Sequence, residues 1–442
     1  GSKAGYGPGL QDRRGRQAAK SGRDKPALLC SITAGRLNMN TLLTWIMYSK
    51  IDSKNNFLKL VLMSLLTLLA LPAKASTVYW GGVSFASWDD RQALFPNVAK
   101  FLCRGSGDCV DSNLDSWALG RVLNTEFSAF DLSTDLISPD QIEAVIMTPM
   151  ITGESLAVVK DITNGKVSYI HVYRIYASLV FFEVGSGRLI SAKPVIVQYT
   201  DTLPLIADSE AVRQGFQRLA NPVSGGVNLF DELFKRAVNT SPFSFSEKYA
   251  RVASINISPQ ALSELDSALD VSAWKTQISR QLEAYIVDAT DGPLVPGIPG
   301  DHLTGEFAAT FSSGSKVIKL PAEVAYEFSV DISKFKEIVK VDRKQKTNCH
   351  AVKLTLRLNG PFDTILEAPL TRTKRSCGVI AADKQLDRTY YFTQSLFSLL
   401  KESSASLSAK PNKEFLKRAA PKSKDLDKQF IKAWESALDS SW

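Results

Sequence analysis

The chain has 442 residues, 44% of them hydrophobic, which is enough for two or three packed domains and too apolar for a wholly disordered protein. Its net charge of +8 would suit a nucleic-acid binder, but 12 of the 53 basic residues and 3 of the 45 acidic ones fall in residues 1–75, leaving 41 against 42 beyond. A body that is neutral has no global attraction for phosphates, so nucleic acid is excluded as the expected partner.

Residues 1–38 are rich in Gly, Arg and Lys and lack an initial Met. They read as a disordered upstream segment or an expression remnant, with Met39 or Met47 as the start. Residues 39–75 read as a signal peptide. Lys50, Lys54 and Lys59 form a positive flank, Leu60 to Leu71 is an apolar run, and Ala73-Lys74-Ala75 fits a small-x-small cleavage site. The run is short for a membrane span, which needs about 20 residues. An uncleaved anchor is the alternative. Cleavage would leave Ser76 first, and with no Cys there a lipoprotein is not expected.

The first folded unit is placed at 76–245. Thr77 to Phe85 reads as a strand. Asp89 and Asp90 follow and fit the cap of a helix near Arg91 better than a catalytic carboxylate pair. Leu114 to Phe127 reads as a second helix. Ile142 to Met150 and Leu156 to Ile162 read as two strands interrupted at Gly153. Tyr169 to Asp201 is the strongest hairpin signal, with two β-branched and aromatic arms reversing at Gly185-Ser186-Gly187. A helix over Ser209 to Leu219 is broken by Asn221-Pro222 and Gly225-Gly226. Asn228 then fits an N-cap, with Asp231 and Glu232 in the first turn and Leu229, Phe230, Leu233, Phe234 and Ala237 on one face.

The second unit is placed at 246–402. Tyr249 to Ile257 reads as a strand, and Trp274, Ile278, Leu282 and Tyr285 mark an amphipathic helix. Gly292 to Gly300 is too rich in Pro and Gly to continue it. Val324 to Ile332 and Glu337 to Val341 are strand-like. Val352, Leu354, Leu356 and Leu358 alternate with polar residues as a half-buried strand does. Asn359-Gly360 turns it, and Thr364 to Thr373 runs back. Asp387 to Leu400 reads as a helix. Residues 403–442 read as a Ser/Lys/Pro-rich linker and a C-terminal helix around Phe430, Ile431 and Trp434, either a docking segment or folded back on the core.

Each half thus runs strand, helix, further strands, long hairpin, helix, and both return arms carry a proline, Pro194 and Pro369. The expected fold is α+β: two tandem similar α+β units, each a mostly antiparallel sheet with a long hairpin and packed helices. Leu179-Val180-Phe181-Phe182-Glu183-Val184-Gly185-Ser186-Gly187-Arg188-Leu189-Ile190, in that element order, resembles the N-terminal domain of TolB. It is also similar to related domains of the curli secretion channel and of flagellar-ring assembly proteins. The resemblance implies a scaffold or partner-binding module of a bacterial envelope assembly, with no catalytic residues to carry over.

Four cysteines remain after the leader. An even count in an exported chain favours disulfides, with Cys103–Cys109 and Cys349–Cys377 as the expected pairs. Free thiols are the alternative, and zinc is disfavoured by the spacing. The histidines are His171, His302 and His350, and no two sit at metal-ligand spacing. No nucleophile elbow, P-loop or dinucleotide fingerprint occurs, so no cofactor is expected. A Ser-His-Asp triad assembled from distant positions stays open. Lys340, Arg343, Lys344 and Lys346, with Arg372, Lys374 and Arg375, form two basic clusters that would touch anionic lipid or glycan or merely face solvent. The expected function is a non-catalytic, exported periplasmic or envelope-associated module that binds another envelope protein. An exported hydrolase is the alternative.

Overall fold

The computed structural model describes residues 76–86, 91–101, 114–135, 143–163, 166–221, 226–238, 240, 249–267, 269–292, 294–296, 306–311, 314–319, 324–342, 345–372, 377–381 and 387–438, all in one compact unit. The expectations for the leader, for Asp89 and Asp90, for Cys103 and Cys109, and for His302 lie outside these residues. The fold is α+β, built on two sheets.

The first sheet holds β1 (Ser76–Trp80), β2 (Ser84–Phe85), β3 (Phe130–Ser133), β4 (Val145–Thr163), β5 (Lys166–Glu183) and β6 (Leu189–Leu203). Its order is β3-β1-β4-β5-β6, with β2 beside β4. β1 runs parallel to β3 and β4, and β4, β5 and β6 form an antiparallel meander. The two strands expected around Gly153 are one strand. The register shifts between Ile151 and Gly153, so the glycine marks a bulge after which pairing with β5 resumes. A Cβ there would meet the Tyr176 ring at 3.2 Å. Gly187 closes β5 onto β6 with a φ of 67°, the left-handed value the sequence implied.

Helices α1 (Arg91–Leu94), α2 (Leu114–Val122), α3 (Ser209–Ala220) and α4 (Leu229–Ala237) belong to this half. The expected end of α2 at Phe127 overshoots by a turn, since the chain breaks at Leu123. Asn228 caps α4 as read, its Oδ1 accepting from Phe230 N at 2.9 Å and Asp231 N at 3.4 Å. α3 lies so close to β5 that only glycine fits at 215. Tyr173 is buried between Tyr199 and Phe216, and a Cβ on Gly215 would stand 2.4 Å from the Tyr173 ring.

The second sheet holds β7 (Ala250–Ile257), β10 (Tyr326–Asp342), β11 (Gln345–Asn359), β12 (Thr364–Arg372) and β13 (Cys377–Ala381), in the order β12-β11-β10-β7 with β13 beside β11. β7 is parallel to β10, and the rest are antiparallel. Between β7 and β10 come α5 (Pro259–Leu262), α6 (Val271–Thr290) and a small separate ribbon, β8 (Glu306–Phe311) with β9 (Gly314–Lys319). The ribbon and β13 were not expected from sequence. The path β7-β10-β11-β12 repeats the order and sense of β1-β4-β5-β6.

α7 (Arg388–Ser404) packs on β11, and the chain does not then become a linker. α8 (Lys413–Ala419) and α9 (Leu426–Ala437) follow, and Leu407, Phe415, Leu416, Phe430, Ala433 and Leu438 are buried in the second core. The docking-segment reading of the last helix is thereby overturned. Leu426, Phe430, Ala433 and Ala437 form an apolar stripe that the core buries, and Gln429 Oε1 accepts from Glu367 N at 3.3 Å along the edge of β12. The two halves are tied together directly. Lys193 Nζ, on β6, donates to Asp291 Oδ1 at 2.5 Å and to the Asp291 carbonyl at 3.3 Å, where α6 ends. Arg236 pairs with Asp288, and Tyr249 Oη donates to the Leu189 carbonyl at 2.9 Å.

Candidate functional site

A cleft of about 650 Å³ lies between the outer half of the β4–β5 hairpin and helices α6 and α7. Eight consecutive residues of β4, Thr152 to Val159, line it. Successive strand side chains point to opposite faces, so a run without gaps means that the cleft follows the edge of the strand. That edge is open. β1 and β2 pair with β4 only as far as Ile151, and among the described residues no strand pairs with Gly153 to Lys160 on the side away from β5. The facing wall is the first half of α6 and the start of α7, where Trp274 Nε1 donates to Thr393 Oγ1 at 3.1 Å.

Charged and polar side chains line the cleft. Arg174, on β5, is 3% exposed, and its Nε donates to Gln198 Oε1 at 2.8 Å. Its guanidinium lies 5.9 Å from the centre of the Phe397 ring. No described carboxylate forms an ion pair with it. Tyr176, two residues on, is buried, and its hydroxyl is 3.3 Å from Ser155 Oγ. Burial pushes the Tyr176 phenol up, against the opposing effects of Arg174, Ser155 and Gln277. Arg280, on α6, is also 3% exposed. Its Nη1 pairs with Glu283 Oε2 at 3.2 Å, while its Nε and Nη2 are buried without a hydrogen-bond partner among the described residues. Arg174 also lines an adjoining pocket of about 360 Å³ with Gln281 and Tyr285. Burial pushes the Tyr285 phenol up to about 12.

The carboxylates around the cleft are already engaged. Glu154 accepts from Asn97 N at 3.0 Å, Asn97 Nδ2 at 2.6 Å and Val98 N at 2.7 Å, where the 3-10 turn Val98–Phe101 begins. Burial nonetheless holds its carboxyl above the usual range. Asp270 caps α6, accepting from Ser272 N and Ala273 N, each at 3.0 Å. Asp387 caps α7 through Tyr390 N at 2.8 Å. Among the described residues no group of three His, Cys, Asp or Glu side chains is placed to hold a metal ion.

The residues singled out from sequence lie elsewhere. His171 is buried in β5, its Nε2 accepting from Ala207 N at 3.0 Å. His350 is buried in β11, stacked on Tyr391 with ring centres 5.1 Å apart. Burial lowers its pKa, with Glu337 opposing and Arg388 assisting. The two histidines are in different sheets. Cys349 stands directly opposite Cys377 in the β11–β13 ladder, and Cys349 takes part in a disulfide. Of the basic clusters, Lys340 is exposed and Lys346 half-buried. Arg372 is not a surface contact: its side chain is 12% exposed and its Nη1 is 2.6 Å from Glu402 Oε1 on α7. Arg343, Lys344, Lys374 and Arg375 lie outside the described residues. Sequence reasoning missed Arg174 and Arg280. The available signal was weak, a lone arginine in the Tyr/Ile-rich β5 and an i,i+3 Arg/Glu pair of the kind common on exposed helix faces.

Fold and cleft together define a two-sheet α+β protein with an open strand edge in a groove. No family model matches the chain, and no curated protein matches it. Among solved structures, it is similar to an Ntf2 like protein involved in plasmid conjugation, at 12% identity over 55% of this chain and 79% of that chain. The TM-score of 0.09 is too low to bear on fold or function.

Proposed function

We propose that the chain is an exported, non-catalytic module of the cell envelope that binds an extended segment of another protein as an added strand on β4. The observation that carries this is the open edge from Gly153 to Lys160 running along the cleft. An unpaired edge offers alternate N–H and C=O groups to an incoming strand, and flanking pockets select its side chains. Eight residues span roughly 26 Å at about 3.3 Å each, room for a short peptide segment. Export rests on the leader, and the envelope setting also on the resemblance to TolB-type domains. A hydrolase has less support, because Glu154, Asp270 and Asp387 are engaged with backbone N–H groups rather than turned to a substrate.

Random heptapeptides displayed on phage and selected on the chain provide the test. Retained peptides should slow hydrogen exchange at alternate amides between Glu154 and Lys160. Selection of none, or of peptides that leave those amides unprotected, overturns strand addition. N-terminal sequencing of exported material should begin at Ser76, and a chain still carrying Leu60 to Leu71 refutes cleavage.

A further inference from the structure

We infer that the cleft holds a carboxylate-recognition site formed by Arg174 and Arg280, so that the bound segment carries one carboxylate held there. This rests on the strand-addition reading and names what the added segment must contain.

Two buried cations make the case. Arg174 has no carboxylate partner among the described residues, although removing a guanidinium from water costs several kcal/mol unless an anion compensates. Arg280 is half satisfied in a specific way. Glu283 takes Nη1, leaving Nε and Nη2. Those two nitrogens form the side-on fork of the guanidinium, which a carboxylate fills with two parallel hydrogen bonds. Both arginines line the same cleft, with Tyr176 and Gln277 beside them as neutral polar partners. Four carboxylates line the cleft, Glu154, Asp266, Asp270 and Asp387, and Glu154, Asp270 and Asp387 are tied to helix or turn N-termini. Their presence disfavours a segment with several acidic groups and suits one with a single carboxylate. An Asp or Glu side chain and a chain's terminal carboxylate offer the same chemistry.

The test uses full chain labelled with ¹⁵N-arginine, with glutarate as the anionic probe and glutaramide as its neutral counterpart, at constant ionic strength. Glutarate should shift the Nε signals of Arg174 and Arg280, and glutaramide should not. Arg174→Met should abolish the response of Arg280 without stranding a buried carboxylate. Glu283→Gln, which removes the competing anion, should tighten glutarate binding, an effect of opposite sign to damage from misfolding. Equal shifts at the exposed Arg213 and Arg388, or none at the two cleft arginines, would overturn the site. A second arm separates the sources. Acetylated heptapeptides of alternating Thr and Val carry a central Glu or Gln and end as free acid or amide. A central Glu, or a free terminus, should strengthen binding about tenfold or more over the doubly neutral peptide, as a charge-assisted pair does. Equal affinity for all four peptides refutes carboxylate recognition. A glutarate response without protection of the β4 amides by any peptide would leave the anion site standing and remove strand addition.

Discussion

Replacing Arg174 by Met should stabilise the chain in the absence of a partner. Arg174 sits 3% exposed on β5 with no ion-pair partner among the described residues. Three effects set the magnitude. The hydrogen bond from Nε to Gln198 is lost, about 1.5–3 kcal/mol for a charged donor. Gln198 is exposed and regains water, so most of that loss is returned. The partners inside the cleft are lost as well: the hydrogen bond with the buried Tyr176 hydroxyl, and the Phe397 contact at 5.9 Å, worth about 0.5–2 kcal/mol, although a thioether keeps a favourable contact with the ring. Against these stands relief of an uncompensated buried charge, several kcal/mol, and Met fills similar volume with apolar atoms. The balance favours the variant by about 1–3 kcal/mol. Urea unfolding followed by tryptophan fluorescence measures it, since Trp274 lines the same cleft. A loss of stability beyond about 1 kcal/mol would show that the guanidinium is satisfied as it stands, and the reasoning for an absent anion would fail with it.

Three further outcomes are expected. His350 has its pKa lowered by burial, so the unfolded chain takes up its proton first: stability is full above the ordinary value of 6.5 and falls as pH drops from there towards the folded pKa. Melting temperatures across pH 7.5 to 5 should fall, and His350→Phe should flatten that fall; an unchanged slope refutes the assignment. Gly215→Ala should destabilise by about 1–3 kcal/mol despite the better helix propensity of Ala, because its Cβ would press on the Tyr173 ring. A stable variant would mean that β5 and α3 separate readily. Non-reducing peptide mapping should recover Cys349 joined to Cys377, and any other partner for Cys349 counts against the β11–β13 register.

Local chemistry was legible in the sequence where it acted alone. The Gly187 turn, the Asn228 cap, the β5–β6 hairpin and the alternation of β11 all follow from residues within a few positions of one another. The longest ladder was harder to see. Gly153 read as an end because a bulge and a break use the same residue, and only the resumed pairing with β5 distinguishes them. The pairing of Thr163 with Lys166 joins β4 to β5 as a second long hairpin beside the one that reverses at Gly185-Ser186-Gly187. The polar composition of 402–424 hid α8, whose Phe415 and Leu416 are buried against the second core. The cleft could not be read at all. Whether a buried arginine has a carboxylate beside it depends on contacts between β5, α6 and α7, which are distant in sequence.

The shared strand path bears on why the cleft sits in the first half. In each sheet the long hairpin overshoots the strand parallel to it. β7 pairs with β10 only as far as Ile332, and β1 and β2 pair with β4 only as far as Ile151. Such overhangs invite strand addition, and proteins commonly guard them with lysine. The β10 overhang carries Lys334, Lys336 and Lys340, all exposed. The β4 overhang from Gly153 to Lys160 carries a single lysine, the exposed Lys160 at its outer end, after Gly-Glu-Ser-Leu-Ala-Val-Val. Shelter there comes from α6 and α7 across the cleft. The β10 overhang is guarded by charge, while the β4 overhang faces the groove. Lys334→Thr with Lys336→Thr and Lys340→Thr should then make the chain self-associate through β10, read as a concentration-dependent rise in mass, and leave peptide binding at β4 unchanged. Gain of peptide binding at β10 with loss at β4 would reverse the roles assigned to the two edges.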